Sequence, residues 1–266
     1  VSDGFKELAS VDGRVTPTAE ATIGLKDDGL YRGDGAFEVI RLYEGRPFAL
    51  GDHLDRLGRS AAAIELPFDR AALEREVAAL LGEAGRVDGQ LRLIVTRGGR
   101  RIAATEPIPE HGESLRLATV TYSPTIILNG VKSISYAANM QASRLAKGRG
   151  ADEAVLVRPD GTVLEPPTSA IFWVSAEGSL RTPALTDGVL ESITRDRLIK
   201  ALDVEVGSWQ VDDLRSAREA FLASTTREVQ AVAAIDGTDL AAAPGPRTGE
   251  AQRAFAETLG RELREL

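Results

Sequence analysis

The sequence of 266 residues has no cysteine, which excludes disulfides, thiolate metal sites and cysteine nucleophiles together. Histidine is nearly as scarce. His53 and His111 stand far apart, so there is no HExxH pair and no metal site is expected. No apolar run approaches the roughly 20 residues of a membrane span, and no signal-peptide pattern opens the chain. A net charge of −8 argues against a nucleic-acid partner, which would want a basic face. These absences lead us to expect a soluble, cytoplasmic, acidic protein. Lysine is also rare: of 32 basic residues only five are lysines, namely Lys6, Lys26, Lys132, Lys147 and Lys200.

The length suits one large or two modest domains with a real core. Asp12-Gly13 reads as a hairpin turn, and Ala36 to Tyr43 as a strand leading into the turn Glu44-Gly45. The period then changes. Leu54, Leu57, Ala61 and Ile64 share one helix face within Gly51 to Leu66, and a second helix is predicted from Asp69, its N-cap, to Gly85. Strands are predicted over 91–96 and 115–122, a mobile surface loop over 103–114, and a domain joint at Ser123-Pro124. Beyond the joint, an apolar strand is expected around Ile126–Ser135 and a helix from about Tyr136 to Lys147. Short strands at 154–157, 170–174, 180–181, 205–209 and 220–223 follow, with helices at 193–202 and 249–263. No regular βαβ beat emerges, so the expected fold class is α+β. The expected division is a smaller N-terminal α/β domain over 1–122 and a larger mixed α/β domain over 123–266.

Context separates the five lysines. Lys6 and Lys26 lie among acids and glycines, as solvated lysines do. Lys147 and Lys200 close helices, where a cation meets exposed carbonyls. Lys132 instead stands in an apolar stretch, Ile126 to Ile134, with no acid nearby in sequence. Apolar surroundings favour the neutral amine, suited to Schiff-base chemistry. An edge-strand lysine pointing outward fits the same pattern equally well.

A set of segments in fixed order extends the reading. They are Tyr31 to Arg41 (YRGDGAFEVIR), His53 to Ser60 (HLDRLGRS), Val131 to Tyr136 (VKSISY), Gly150 to Ala154, Gly161 to Glu165, Leu190 to Arg195 (LESITR), Ala223 to Val229 (ASTTREV) and Ile235 to Gly237. Together they resemble the class IV aminotransferases, the fold-type-IV enzymes that use pyridoxal 5′-phosphate (PLP). That family includes D-amino acid and branched-chain aminotransferases, (R)-amine transaminases and aminodeoxychorismate lyases.

The resemblance implies that Lys132 is the Schiff-base lysine and proton shuttle, and that Glu165 pairs with the pyridine nitrogen, keeping the ring electron-accepting. It implies a phosphate cup from the helix start at Ser192, the backbone of Ile193 and Thr194, the Thr225 hydroxyl and the Arg56 fork. Leu190 would pack on the ring and Tyr136 would reach its phenolic oxygen. Tyr31, Phe37 and Thr226 match substrate-pocket positions. A homodimer acting on a small-molecule amino donor and a 2-oxo acid acceptor is expected.

Two positions depart from the family pattern. Ala170 stands where an asparagine is usual, removing a polar group behind the cofactor, and Ser192 stands where glycine is usual. The substrate reading rests on the segment GDGAFEVIR, which looks more like the D-amino acid enzymes than the branched-chain pattern with glycine at Val39. The Arg-x-His pair of the best-known D-enzymes is missing after Thr96-Arg97-Gly98. A non-standard carboxylate trap built from arginine is therefore expected, with Arg41, Arg92, Arg100 and Arg101 as the candidates. The alternatives are a branched-chain L-amino acid aminotransferase, an aminodeoxychorismate lyase and a catalytically silent PLP-fold binding protein.

Overall fold

A computed structural model describes Phe5–Glu265 as two compact units, each built on one sheet. The first unit gathers the described residues up to Pro109, with Val131–Tyr136 and the residues from Glu262. The second holds Glu110–Gly130 and Ala137–Arg261.

In the first unit the chain opens with the hairpin β1 (Leu8–Val11) and β2 (Arg14–Pro17). Its two-residue turn has positive φ at both Asp12 and Gly13, the twist that a tight hairpin requires. There follow α1 (Asp28–Arg32), β3 (Gly35–Tyr43), β4 (Arg46–Pro47), α2 (Leu50–Ala63), α3 (Arg70–Ala84), β5 (Gly89–Thr96) and β6 (Arg101–Glu106). The six strands form an antiparallel sheet in the order β2-β1-β6-β5-β3-β4. Period-two alternation along β3 turns Ala36, Glu38, Ile40 and Leu42 to the buried face. There they pack with Leu54 and Leu57 of α2 and with Leu73, Val77 and Leu80 of α3, apart from Glu38. Asp69 caps α3 as its sequence position suggests, accepting from the Ala72 N–H at 2.9 Å.

In the second unit the elements are β7 (Ser114–Thr121), α4 (Ala137–Gly148), β8 (Glu153–Val157), β9 (Ala170–Val174), β10 (Leu180–Pro183), α5 (Ile193–Ala201) and β11 (Glu205–Gly207). They continue with α6 (Val211–Arg215), β12 (Glu219–Ser224), β13 (Glu228–Ile235), β14 (Thr238–Asp239) and α7 (Pro246–Glu265). The sheet runs β11-β10-β9-β12-β13-β7-β8, with β14 on β13. β7 lies parallel to both β13 and β8, whereas β12 is antiparallel to both β9 and β13. This mixed order is the α+β architecture expected from the irregular element sequence. Phe172 and Phe221 stack at 4.9 Å in the core, and buried Trp173 donates its indole N–H to Asp213 at 2.7 Å. No helix among the described residues is long and apolar enough to cross a membrane.

Three expectations are corrected. The division falls at Pro109, not at Ser123-Pro124, because β7 is a central strand of the second sheet. Residues 101–106 are a strand rather than loop: β6 pairs with both β1 and β5, and its sequence RIAATE is too weakly apolar to betray that burial. The stretch around Ile126–Ser135 is not a continuous strand. Ile126 to Leu128 form a single 3-10 turn with Ile126 and Ile127 exposed at 81% and 84%. Val131–Tyr136 then belongs to the first unit.

Candidate active site

The placement of Lys132 follows from a gap in a sheet edge. β4 has only two residues and covers Leu42 and Tyr43 of β3, which leaves the start of β3 open. The segment after Gly130 fills it. Phe37 N–H donates to the Lys132 carbonyl at 2.9 Å, Ile134 N–H to the Gly35 carbonyl at 3.0 Å, and Ala36 and Ser133 form an antiparallel bridge. Lys132 N–H donates to the Ser60 hydroxyl of α2 at 3.1 Å. Cross-strand neighbours share a face, and the Lys132 amine lies 4.3 Å from the centre of the Phe37 ring. Tyr136 meets the same ring edge-on at 5.5 Å. The amine thus lies over an aromatic ring within the first unit. Tyr31, on α1, is 57% exposed.

Glu38, next in sequence to Phe37, points to the opposite, buried face. Arg56 closes a two-point fork on it, Nε to Oε1 and Nη2 to Oε2, each at 2.7 Å. His53 Nδ1 completes the cluster at 2.7 Å from Oε2. His53, Arg56 and Ser60 form one polar stripe on α2, spaced three and four residues apart as a helix face requires. Burial by itself raises the Glu38 pKa, but the hydrogen bonds and charge of Arg56, with His53, outweigh it and hold the carboxyl down at about 2. His53 is pushed below its ordinary value by burial, with Arg56 and Lys132 adding to it against Glu38. It is therefore neutral near pH 7 and donates its Nδ1 proton to Glu38.

The four arginines expected to trap a carboxylate are not brought together. Arg41 donates to the carbonyls of Leu42 at 2.6 Å and Gly89 at 2.9 Å, lying 4.6 Å over Tyr43. Arg92 makes a two-point fork with Glu106 at 2.6 and 2.8 Å. Arg100 reaches Asp12 at 2.7 Å and Asp27 at 3.2 Å, and Arg101 reaches Glu76 at 2.8 Å. Each guanidinium already has protein partners, so these positions read as ties within the first unit.

The second unit carries the remaining positions. The turn at Gly161, with φ +88, folds the chain back so that Leu156 N–H meets the Glu165 carbonyl at 3.1 Å. The Glu165 carboxylate accepts from Leu190 N–H at 2.8 Å, which fixes Leu190 against it. Three residues on, α5 begins. Ser192 has φ −78, a value that any residue adopts, so the usual glycine is not needed for the backbone. Its hydroxyl accepts from Arg195 N–H at 3.2 Å as the N-cap. Ile193 and Thr194 then occupy the first helical positions, whose N–H groups have no carbonyl four residues back. Arg195, 6% exposed, donates to the Pro183 carbonyl at 2.7 Å, and burial lowers its pKa while the charge of Glu165 opposes that. Thr225 and Thr226 lie in the turn joining β12 to β13. Ala170 is buried in β9 opposite Ala223, where an asparagine would have a strand partner to displace.

The Amino-transferase class IV family matches residues 35–235. The chain belongs to the class IV aminotransferases. It is 33% identical over 272 residues to a D-alanine aminotransferase of Bacillus licheniformis, covering 93% of this chain and 95% of that protein. It is 28% identical over 287 residues to a bifunctional aminodeoxychorismate lyase and D-amino acid transaminase of Mycobacterium tuberculosis, covering 95% and 97%. Its fold matches the crystal structure of a branched-chain amino acid aminotransferase from Thermobaculum terrenum in its PLP form. That match has a TM-score of 0.85 at 26% identity and covers 98% and 97% of the two chains.

Sequence reasoning did not single out Glu38 and His53, which meet Arg56 in the first unit, or His111 of the second unit, whose Nε2 lies 3.4 Å from the Thr226 hydroxyl. Glu38 carried a signal, since an acid at a core-face position of an alternating strand demands buried partners. His111 carried none, because its neighbour Thr226 is remote in sequence.

Proposed function

We propose that this class IV aminotransferase is a PLP-dependent transaminase that moves an amino group from D-amino acids to 2-oxo acids, with (R)-amines as a second donor class. The observation that carries the reading is the Lys132 amine seated 4.3 Å over the Phe37 ring, at the position the family uses for its lysine. The resemblance to the D-alanine aminotransferase supports the donor class.

The residues present fit PLP by the chemistry of their donors. The start of α5 is a run of backbone N–H groups on a nine-residue helix, suited to a phosphate dianion. PLP, when bound, supplies an aldehyde and an electron-accepting ring. Lys132 would hold the aldehyde until the donor's amine displaces it, and its freed neutral Nζ would then take the substrate Cα proton and deliver it to the carbon that carried the aldehyde. Ser192, Ile193, Thr194 and the Thr225 hydroxyl would hold the phosphate. Arg56, whose Nε–Nη2 edge is committed to Glu38, is the guanidinium that the resemblance assigns to the phosphate. Glu165 would face the ring nitrogen, its position steadied by Leu190 N–H, while Leu190 packs on the ring and Tyr136 reaches the phenolic oxygen. With Arg41, Arg92, Arg100 and Arg101 tied to protein groups, we assign the substrate carboxylate to the backbone of the turn at Thr226, with Tyr31 and Phe37 lining the pocket. We place this activity in the cytoplasm, in a homodimer, the assembly that the resemblance implies.

A half-reaction panel tests the donor class. The PLP-loaded chain is mixed with D-alanine, L-leucine or (R)-1-phenylethylamine while the visible cofactor band is followed. Bleaching by D-alanine is expected, and bleaching by L-leucine alone gives the branched-chain reading instead. Pyruvate release from aminodeoxychorismate without bleaching marks a lyase. A chain that holds no PLP is a silent relative.

A further inference from the structure

Within the stretch 103–114, expected to be a mobile loop, His111 and Gly112 are tied to the second sheet. Gln230 of β13 donates its amide N–H to the Gly112 carbonyl at 2.6 Å, and its amide oxygen accepts from Arg227 at 2.5 Å. Arg227 continues to Glu153 of β8 at 3.2 Å, and Glu153 accepts from the Ser143 hydroxyl of α4 at 2.8 Å. The turn itself is closed by Arg227 N–H donating to the Ser224 hydroxyl at 3.3 Å. This network holds His111 against the turn between β12 and β13, its Nε2 lying 3.4 Å from the Thr226 hydroxyl.

We propose that His111 is a specificity-determining positioning residue, whose imidazole holds the Thr226 hydroxyl and so fixes the turn that presents backbone N–H groups to the substrate carboxylate. The inference rests on the reading of Thr226 as a substrate donor. Histidine suits the position for a charge reason. Burial and the neighbouring Arg227 both push its pKa down, so it grips the hydroxyl as a neutral ring. A lysine or arginine there would set a second cation beside Arg227. The neutral ring can hold the hydroxyl in either tautomer, as acceptor at Nε2 or as donor from it. The role is positional. His111 has no place in the proton transfer assigned to Lys132, so its effect belongs in substrate affinity and not in the maximal rate.

The test is the concentration dependence of D-alanine bleaching of the PLP-loaded chain, for wild type, His111→Ala, Thr226→Val, the double variant and His111→Gln. Loss of one neutral hydrogen bond is expected to raise the apparent Kd for D-alanine about two- to tenfold in each single variant. The double variant should be no weaker than the weaker single one, because both remove the same contact. His111→Gln, which can donate and accept from its amide, should restore affinity to within about twofold. The maximal bleaching rate and the visible cofactor band should stay unchanged in His111→Ala and His111→Gln. Effects of the two single changes that multiply in the double variant overturn the proposal. So does a failure of glutamine to restore affinity, or a fall in maximal rate without a change in Kd. A wild-type chain that binds PLP but bleaches with no donor overturns the functional reading itself. Normal bleaching by unaffected variants overturns only the role of His111.

Discussion

Glu38 and Arg56 face each other in the first unit as a buried two-point fork, with both contacts at 2.7 Å and His53 on the same carboxylate. A carboxylate at a core-face strand position is tolerable only because the guanidinium from α2 reaches it edge-on. The pair therefore fixes α2 over β3, and α2 is also the helix whose Ser60 receives the Lys132 backbone N–H.

Glu38→Ala should destabilise the chain by about 3–5 kcal/mol, because it leaves Arg56 buried without its counter-charge. Urea unfolding measures it. The double variant Glu38→Ala/Arg56→Met should be less destabilised than the single one, since no orphaned charge remains. A double variant that is weaker still would show that the fork is not the dominant interaction there.

The same cluster sets an acid limit. His53 has a lowered folded pKa, so the unfolded chain takes up the proton first, and stability should fall as pH drops below about 6.5. Glu38, held at about 2 against an ordinary value of 4.5, adds a second loss as pH falls from 4.5 towards 2. Urea midpoints collected from pH 8 to pH 3 should decline in that sense, and Glu38→Gln should flatten the lower part.

The contrast between Glu38 and Lys132 shows how far sequence alone reaches here. Lys132 stood out among five lysines by its apolar neighbours in sequence, but its role came from the family resemblance and not from that context alone. The caps and faces of α2 and α3 were equally legible, being local periodic patterns. The fork of Glu38 with Arg56 was not, nor the partners of Arg92, Arg100 and Arg101, because Asp12, Asp27, Glu76 and Glu106 meet them only through sheet and helix packing. β6 was missed for the same reason, as its burial comes from neighbours on both sides and not from its own composition.

The tied arginines give a kinetic expectation. Arg92→Gln and Arg100→Gln should leave KM for D-alanine and for 2-oxo acids within about twofold, and Arg92→Gln should lower stability by less than about 1 kcal/mol, as partly exposed ion pairs do. Steady-state kinetics with urea unfolding checks both. A tenfold rise in KM for either variant would return the carboxylate trap to that arginine.

Ser192 caps α5 where the family usually has glycine. Ser192→Ala should cost about 1 kcal/mol and weaken PLP binding, whereas Ser192→Gly should cost only a few tenths. Fluorescence titration with PLP, beside thermal unfolding, separates the two effects. Equal behaviour of the alanine and glycine variants would mean that the cap on Arg195 contributes nothing.

The most direct measurement is covalent trapping. The PLP-loaded chain is reduced with borohydride, digested, and the phosphopyridoxyl label located by mass spectrometry. The expected result is a single label on Lys132, absent from Lys132→Ala, which should fold normally yet lack the visible band. A label on Lys6, Lys26, Lys147 or Lys200, or a Lys132→Ala chain that keeps the band, would contradict the central claim.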